Sequence, residues 1–158
     1  MGGDAFVYLA RIKTTPRELW RALTEPQFTE RYWGLSFDTD WAPGSPMTWA
    51  ERGVSIADPG QRVLEADPPR RLAYTWHAFT PEWARRARVG EDALAAIAAE
   101  PRSQVAFDLE PGAGTVRLKV THDGFEPGSR VREMVIEGWP ELVSSLKTLL
   151  ETGEPLQG

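Results

Sequence analysis

HDGFEPGSRVREMVIEGWPELVSSLKTLLETG (His122–Gly153) is the stretch on which the fold turns. Within it Val131, Val135, Trp139, Leu142, Leu146 and Leu149 recur at intervals of three and four residues, the spacing of one apolar stripe on a helix. Ser129 is placed to open that helix, and Gly153, with Pro155 beyond it, to stop it. The spacing therefore predicts a long helix over about 129–151. Pro140 sits in its middle. Proline offers no N–H to the Ile136 carbonyl and its ring crowds that carbonyl, so a kink is expected there. Gly138 is read as permitting close backbone approach, and Trp139 as pointing from the stripe toward whatever the helix covers.

Moving upstream, the hydrophobic period falls from helical to two, the signature of strands with one buried face. Val116, Leu118, Val120 and His122 share a face, as do Val105, Phe107 and Leu109 on the strand before. PGAG (Pro111–Gly114) makes the hairpin between them. Earlier strands are expected at Arg71–Phe79, with Leu72, Tyr74 and Trp76 on one face, and at Gln61–Asp67, stopped by Pro68-Pro69. Leu35–Trp41 and Met47–Glu51 form another pair, turned by Pro43-Gly44. The first strand is Ala5–Lys13. After it come two short helices, each with a capping signal. In TTPRELW, Thr15 caps, Pro16 opens and Glu18 closes the box; in TEPQF, Thr24 caps, Pro26 opens and Gln27 closes it. Pro81–Arg102 interrupts the strands as a helical insertion, with Leu94, Ile97 and Ala98 at helical spacing.

The resulting α+β order is one strand, two short helices, six strands and a long helix, about seven strands in one curved antiparallel sheet. Residues 1–158 read as a single domain, long enough for a real core. The terminal helix is the element large enough to cover one sheet face. A straight helix and a curved sheet do not fit flush, so a cavity between them is expected.

Composition narrows the function. The net charge is −5, which argues against a general nucleic-acid binder. There is no apolar run near the roughly 20 residues of a membrane span. The N-terminus lacks the pattern of a signal peptide. With no cysteine, thiol chemistry and disulfides are excluded, and a cytoplasmic location is expected. Seven tryptophans must fill a core or line something.

The chain resembles the START-like (SRPBCC) superfamily with its helix-grip fold. Within it, the chain is similar to AHSA-type proteins, homologues of the C-terminal domain of the activator of the heat-shock protein ninety ATPase. TTPRELWRALTEPQFTERYWG (Thr14–Gly34), DWAPGSP (Asp40–Pro46), VLEADPPRRLAYTW (Val63–Trp76), VRLKVTHDGF (Val116–Phe125) and GWPELVSSLKTLLETG (Gly138–Gly153) carry the resemblance. It implies a curved sheet wrapped around the terminal helix. The superfamily's range, from lipid carriers and hormone receptors to cyclases and co-chaperone domains, leaves reaction and ligand open.

The candidate ligand-binding residues are Trp49, Tyr74, Trp76, His122 and Trp139, with Trp33 near the mouth. His122 is either a hydrogen-bonded core histidine or a polar group on a cavity floor. Alternation points Asp123 the other way, so the two do not form a catalytic pair. His77 is read as facing solvent or partly buried, with no role, and Glu65 as pointing outward. Two histidines without cysteines give no metal-ligand spacing. Gly112–Gly114 is a turn and not a phosphate loop, because no helix or lysine follows it. The expected function is binding of an apolar or aromatic small molecule by a monomer or homodimer, with no cofactor. An enzyme of the cyclase, dehydratase or hydrolase kind using His122 or Tyr74 is the alternative; a protein-binding module or chaperone partner is another. The insertion, 81–102, is read as a lid over the cavity mouth, with a dimer contact or passive decoration as the alternatives.

Overall fold

The computed structural model describes residues 4–51 and 53–156. Strand β1 (Phe6–Ile12) leads into helices α1 (Pro16–Thr24) and α2 (Pro26–Tyr32). Strands β2 (Leu35–Asp38), β3 (Thr48–Glu51), β4 (Val54–Ile56), β5 (Val63–Asp67) and β6 (Arg71–Thr75) follow. Helices α3 (Pro81–Ala87) and α4 (Glu91–Ala98) form the insertion before β7 (Gln104–Pro111), β8 (Val116–Asp123) and α5 (Arg130–Thr152). The strands make two antiparallel sheets, in the orders β1-β8-β7-β6-β5 and β2-β3-β4. This is the α+β helix-grip arrangement, with the sheet divided in two and an additional short strand, β4.

Alternation produces the core face. On β8, Val116, Leu118, Val120 and His122 are buried while Arg117 and Lys119 are exposed. Against this face α5 buries Val131, Val135, Trp139, Val143, Leu146 and Leu149. Leu142, expected on the stripe, is half-buried and Val143 takes the inner place. The caps are where the sequence puts them: Ser129 Oγ accepts from the Arg132 N–H, and left-handed Gly153 (φ 88°) returns its N–H to Leu149. The helix runs unbroken through Pro140. Glu65 is exposed and bonds Arg71, which also grips Asp108.

The capping boxes form only in part. Thr15 caps α1, but Glu18 turns to Arg21 at 2.7 Å and makes no reciprocal bond to Thr15. For α2 the cap is Glu25, because Pro26 occupies the first helical turn; Thr24 belongs to α1 and donates to the Trp20 carbonyl.

Helix α5 also blunts the open edge of the larger sheet, where unpaired strand groups invite association. Arg132 donates to the Asp4 carbonyl, Lys147 to the Arg11 carbonyl, and Glu151 accepts the Lys13 N–H. The two sheets are joined by Gln61, a fully buried amide between β4 and β5. Its Nε2 donates to the carbonyls of Met47 and Ile56, and its Oε1 accepts the N–H of Ala78, each at 2.9 Å.

Candidate functional site: an indole-lined cleft

Under the centre of α5 the space is filled. Leu23, Phe107, Leu118, Trp139 and Leu146 surround a residual void of about 10 Å³, room for a single water at most. The open volume lies to one side, where the sheet divides. There α5, the α2–β2 junction, β3 and β4, the segment after β6, and α3 enclose a cleft of about 980 Å³. Its size matches that of small-molecule sites, roughly 300–1,000 Å³. The wedge expected between sheet and helix is thus taken up by aromatic side chains, and the opening is shifted to the edge.

Four tryptophans form the apolar wall. Trp33 ends α2, Trp49 lies on the inner face of β3, Trp76 follows β6, and Trp139 projects from α5; all four line the cleft. Their contacting pairs have ring centroids 4.9–6.2 Å apart, mostly tilted or edge-to-face, as indole quadrupoles prefer. Tyr74 and His122 stand behind this wall and do not line the cleft. Tyr74 is packed against Phe37, Trp49 and Phe107, and burial pushes its hydroxyl well above its ordinary pKa, with Tyr32 adding to the effect.

His122 is fully buried and both its ring nitrogens are engaged. The Trp139 indole N–H donates to Nδ1 at 3.0 Å. Nδ1 is therefore the acceptor, and the ring proton sits on Nε2, which meets Ser103 Oγ at 2.8 Å. Burial pushes its pKa down to about 3, helped by nearby His77. Protonating Nδ1 would set two donors against each other, so the two bonds favour the neutral ring and fix it against Trp139.

His77 is the residue that alternation misplaces. Strand β6 ends at Thr75, so the face rule lapses before His77. The side chain is buried, not solvent-facing, and it lines the cleft. Its Nδ1 donates to the Ala78 carbonyl at 2.7 Å, and Gln61 fixes the Ala78 N–H from the other side. Burial, opposed by the bond to the Ala78 carbonyl and aided by Arg102, lowers its pKa to about 4.

Among lining residues Glu30, Glu51 and Glu141 face a single arginine, Arg31. Arg31 is occupied by the Gly153 carbonyl and Glu154, and Glu51 by Arg86 at 3.5 Å. The cleft therefore presents an apolar wall and an acidic rim, which disfavours anions. From the insertion, α3 supplies buried Trp83 to the wall. The insertion's end is anchored: Glu100 accepts from Ser129 Oγ and the Arg130 N–H, and Arg102 pairs with Asp58.

Gly138 lines the cleft beside Trp139. A Cβ built on it meets nothing within 4 Å, so it serves no close approach. Glycine inside a helix costs about 0.5–1 kcal/mol relative to alanine, and here no packing offsets that loss. Gly138→Ala is accordingly expected to raise stability by about 0.5–1 kcal/mol in urea denaturation. A loss of stability would reveal a contact or conformation that only glycine satisfies.

Fold and cleft define a helix-grip protein of the START-like superfamily. The chain belongs to the family of activator of Hsp90 ATPase homolog 1-like proteins, whose model matches residues 13–151. It is similar to the protein MLL2253 from Mesorhizobium loti, at 26% identity and a TM-score of 0.72, with 94% of this chain and 97% of the other covered. It shares its fold with Aha1 from Colwellia psychrerythraea, solved as a dimer (18% identity, TM-score 0.66, coverage 96% and 98%). CalU16 from Micromonospora echinospora has the same fold (21% identity, TM-score 0.64, coverage 96% and 76%). No curated protein matches the chain. Among the described residues no helix is long and apolar enough to cross a membrane.

Proposed function

We propose that the protein binds an uncharged apolar or aromatic small molecule in the cleft beside α5, with Trp33, Trp49, Trp76 and Trp139 as the apolar surface and Gly138 as the gap that admits it. Gly138 is the observation that carries this reading. It weakens an exposed turn of the helix, a Cβ in its place would meet nothing within 4 Å, and it leaves open the space next to Trp139. The four indoles give a bound ring edge and face contacts, and burial of its apolar area drives association at about 25 cal/mol per Å² before ordering costs. The engagement of both His122 nitrogens, and the place of Tyr74 behind the wall, favour binding over catalysis by either residue.

The neutral fluorescent probe N-phenyl-1-naphthylamine tests this. Saturable emission on titration into the wild-type protein is expected. Gly138→Phe introduces its ring into open space, so it should fold with a melting temperature within a few degrees of wild type and bind the probe at least about tenfold more weakly. Unchanged probe affinity in a folded Gly138→Phe protein would remove the cleft as the binding site.

A further inference from the structure

The apolar wall of the cleft carries two polar groups that no described residue satisfies. His77 Nδ1 bonds a carbonyl, which can only accept, so the ring hydrogen is on Nδ1 and Nε2 holds a lone pair. Among the described residues nothing hydrogen-bonds Nε2. The adjoining Trp49, its ring centroid 4.9 Å from that of His77, has a buried indole N–H without a partner. One group is an acceptor and the other a donor, and both rings belong to the lining of the cleft.

From this pair we infer the ligand's class, on the assumption that the cleft is the binding site: an uncharged aromatic ring bearing a hydroxyl, which donates to His77 Nε2 and accepts from Trp49 Nε1. A hydroxyl is the small group that both donates and accepts, whereas an ether or ketone would leave Nε2 unmet and an ammonium would leave the indole N–H unmet. Trp76 at 5.6 Å, Phe79 at 4.8 Å and Trp83 at 6.0 Å pack around His77, so a ring seated in the cleft covers Nε2 and shuts water from it. A hydrogen bond discriminates best in such a setting, because a ligand lacking the hydroxyl leaves both protein groups buried and unpaired. Glu30 and Glu141, lining residues with no ion pair among the described residues, favour the neutral phenol over its anion.

The test is displacement of N-phenyl-1-naphthylamine by 2-naphthol and by 2-methylnaphthalene, which differ by hydroxyl against methyl. On wild-type protein 2-naphthol should displace the probe at about tenfold lower concentration. In His77→Phe the preference should fall to within about twofold. Nitrogen NMR of the wild-type protein gives a readout that does not depend on the variant folding. The His77 Nε2 resonance should move upfield, and the Trp49 indole N–H downfield, with 2-naphthol and not with 2-methylnaphthalene. Equal displacement by the two compounds, or displacement without these shifts, overturns the hydroxyl inference while leaving the cleft as the site. Failure of the probe itself to bind overturns the cleft reading as well.

Discussion

Acidification from pH 7.5 to 4.5 is expected to lower the stability of this protein by about 5 kcal/mol through His77 and His122. Both are buried neutral, with pKa values lowered from 6.5 to about 4 and about 3, in each case chiefly by burial. The unfolded chain takes up protons near the ordinary value, so it binds more protons than the native state throughout this window. Stability is therefore fully present above about pH 6.5 and falls as the pH drops, by ~1.4 kcal/mol per unit for each histidine. The decline continues until the native imidazoles themselves take protons, near pH 4 for His77 and pH 3 for His122. The chain has two histidines, so the slope between pH 6.5 and about 5.5 is theirs; nearer pH 4.5 the carboxyls of Glu151 and Asp40, held below their ordinary range by hydrogen bonds, add to it. Urea denaturation along this range measures it. His77→Phe should remove about half the slope whatever it does to absolute stability. A flat profile would mean that water or a counter-charge reaches both rings in the native protein.

Parts of this site could be read from sequence and parts could not, for reasons that differ by residue. Trp49 and Trp139 were legible as inward-facing because β3 and α5 each bury one face, and a one-faced element imposes its period on the sequence. The caps Ser129 and Gly153 were legible because their chemistry is local to the helix ends. The His122–Trp139 hydrogen bond was not. Periodicity sends each side chain inward, but the alignment of a strand residue with a helix residue depends on how α5 lies across the sheet. Strand β4 is not legible because three residues, Val54–Ile56, are too few to show an alternation. That short strand closes a second sheet, and the gap between sheets moves the open volume away from the middle of the helix. At His77 alternation fails, because β6 stops at Thr75 and its face rule stops with it. The fold was thus legible from one-sided elements, while the position of the cleft depends on a break between sheets that no single element encodes.

Replacing Trp139 by alanine should be the most damaging single substitution in the site, at about 3–5 kcal/mol. The indole is buried against Trp33, Trp76, Phe107 and His122, so truncation removes contacts on every side. It also leaves His122 Nδ1 without its donor, a loss that elsewhere costs about 1–3 kcal/mol. Two features moderate the total. Trp139 already borders the cleft, so the vacated space joins open volume and does not remain an empty void. Water entering from the cleft can also donate to Nδ1 in place of the indole. Trp139→Phe narrows the contributions, since it keeps a six-membered ring while losing the N–H and part of the indole's packing; a cost of about 1–3 kcal/mol, below that of the full truncation, is expected for it. The same water gives a second readout. Once hydrated, His122 no longer suffers the burial that holds its pKa down, so in Trp139→Ala its NMR titration should move from about 3 toward the ordinary histidine range. The acid slope of stability should shrink with it. A Trp139→Ala protein that is strongly destabilised yet keeps the wild-type His122 titration would show that the helix closes over the gap, and that α5 is free to settle onto the sheet when Trp139 does not hold it off.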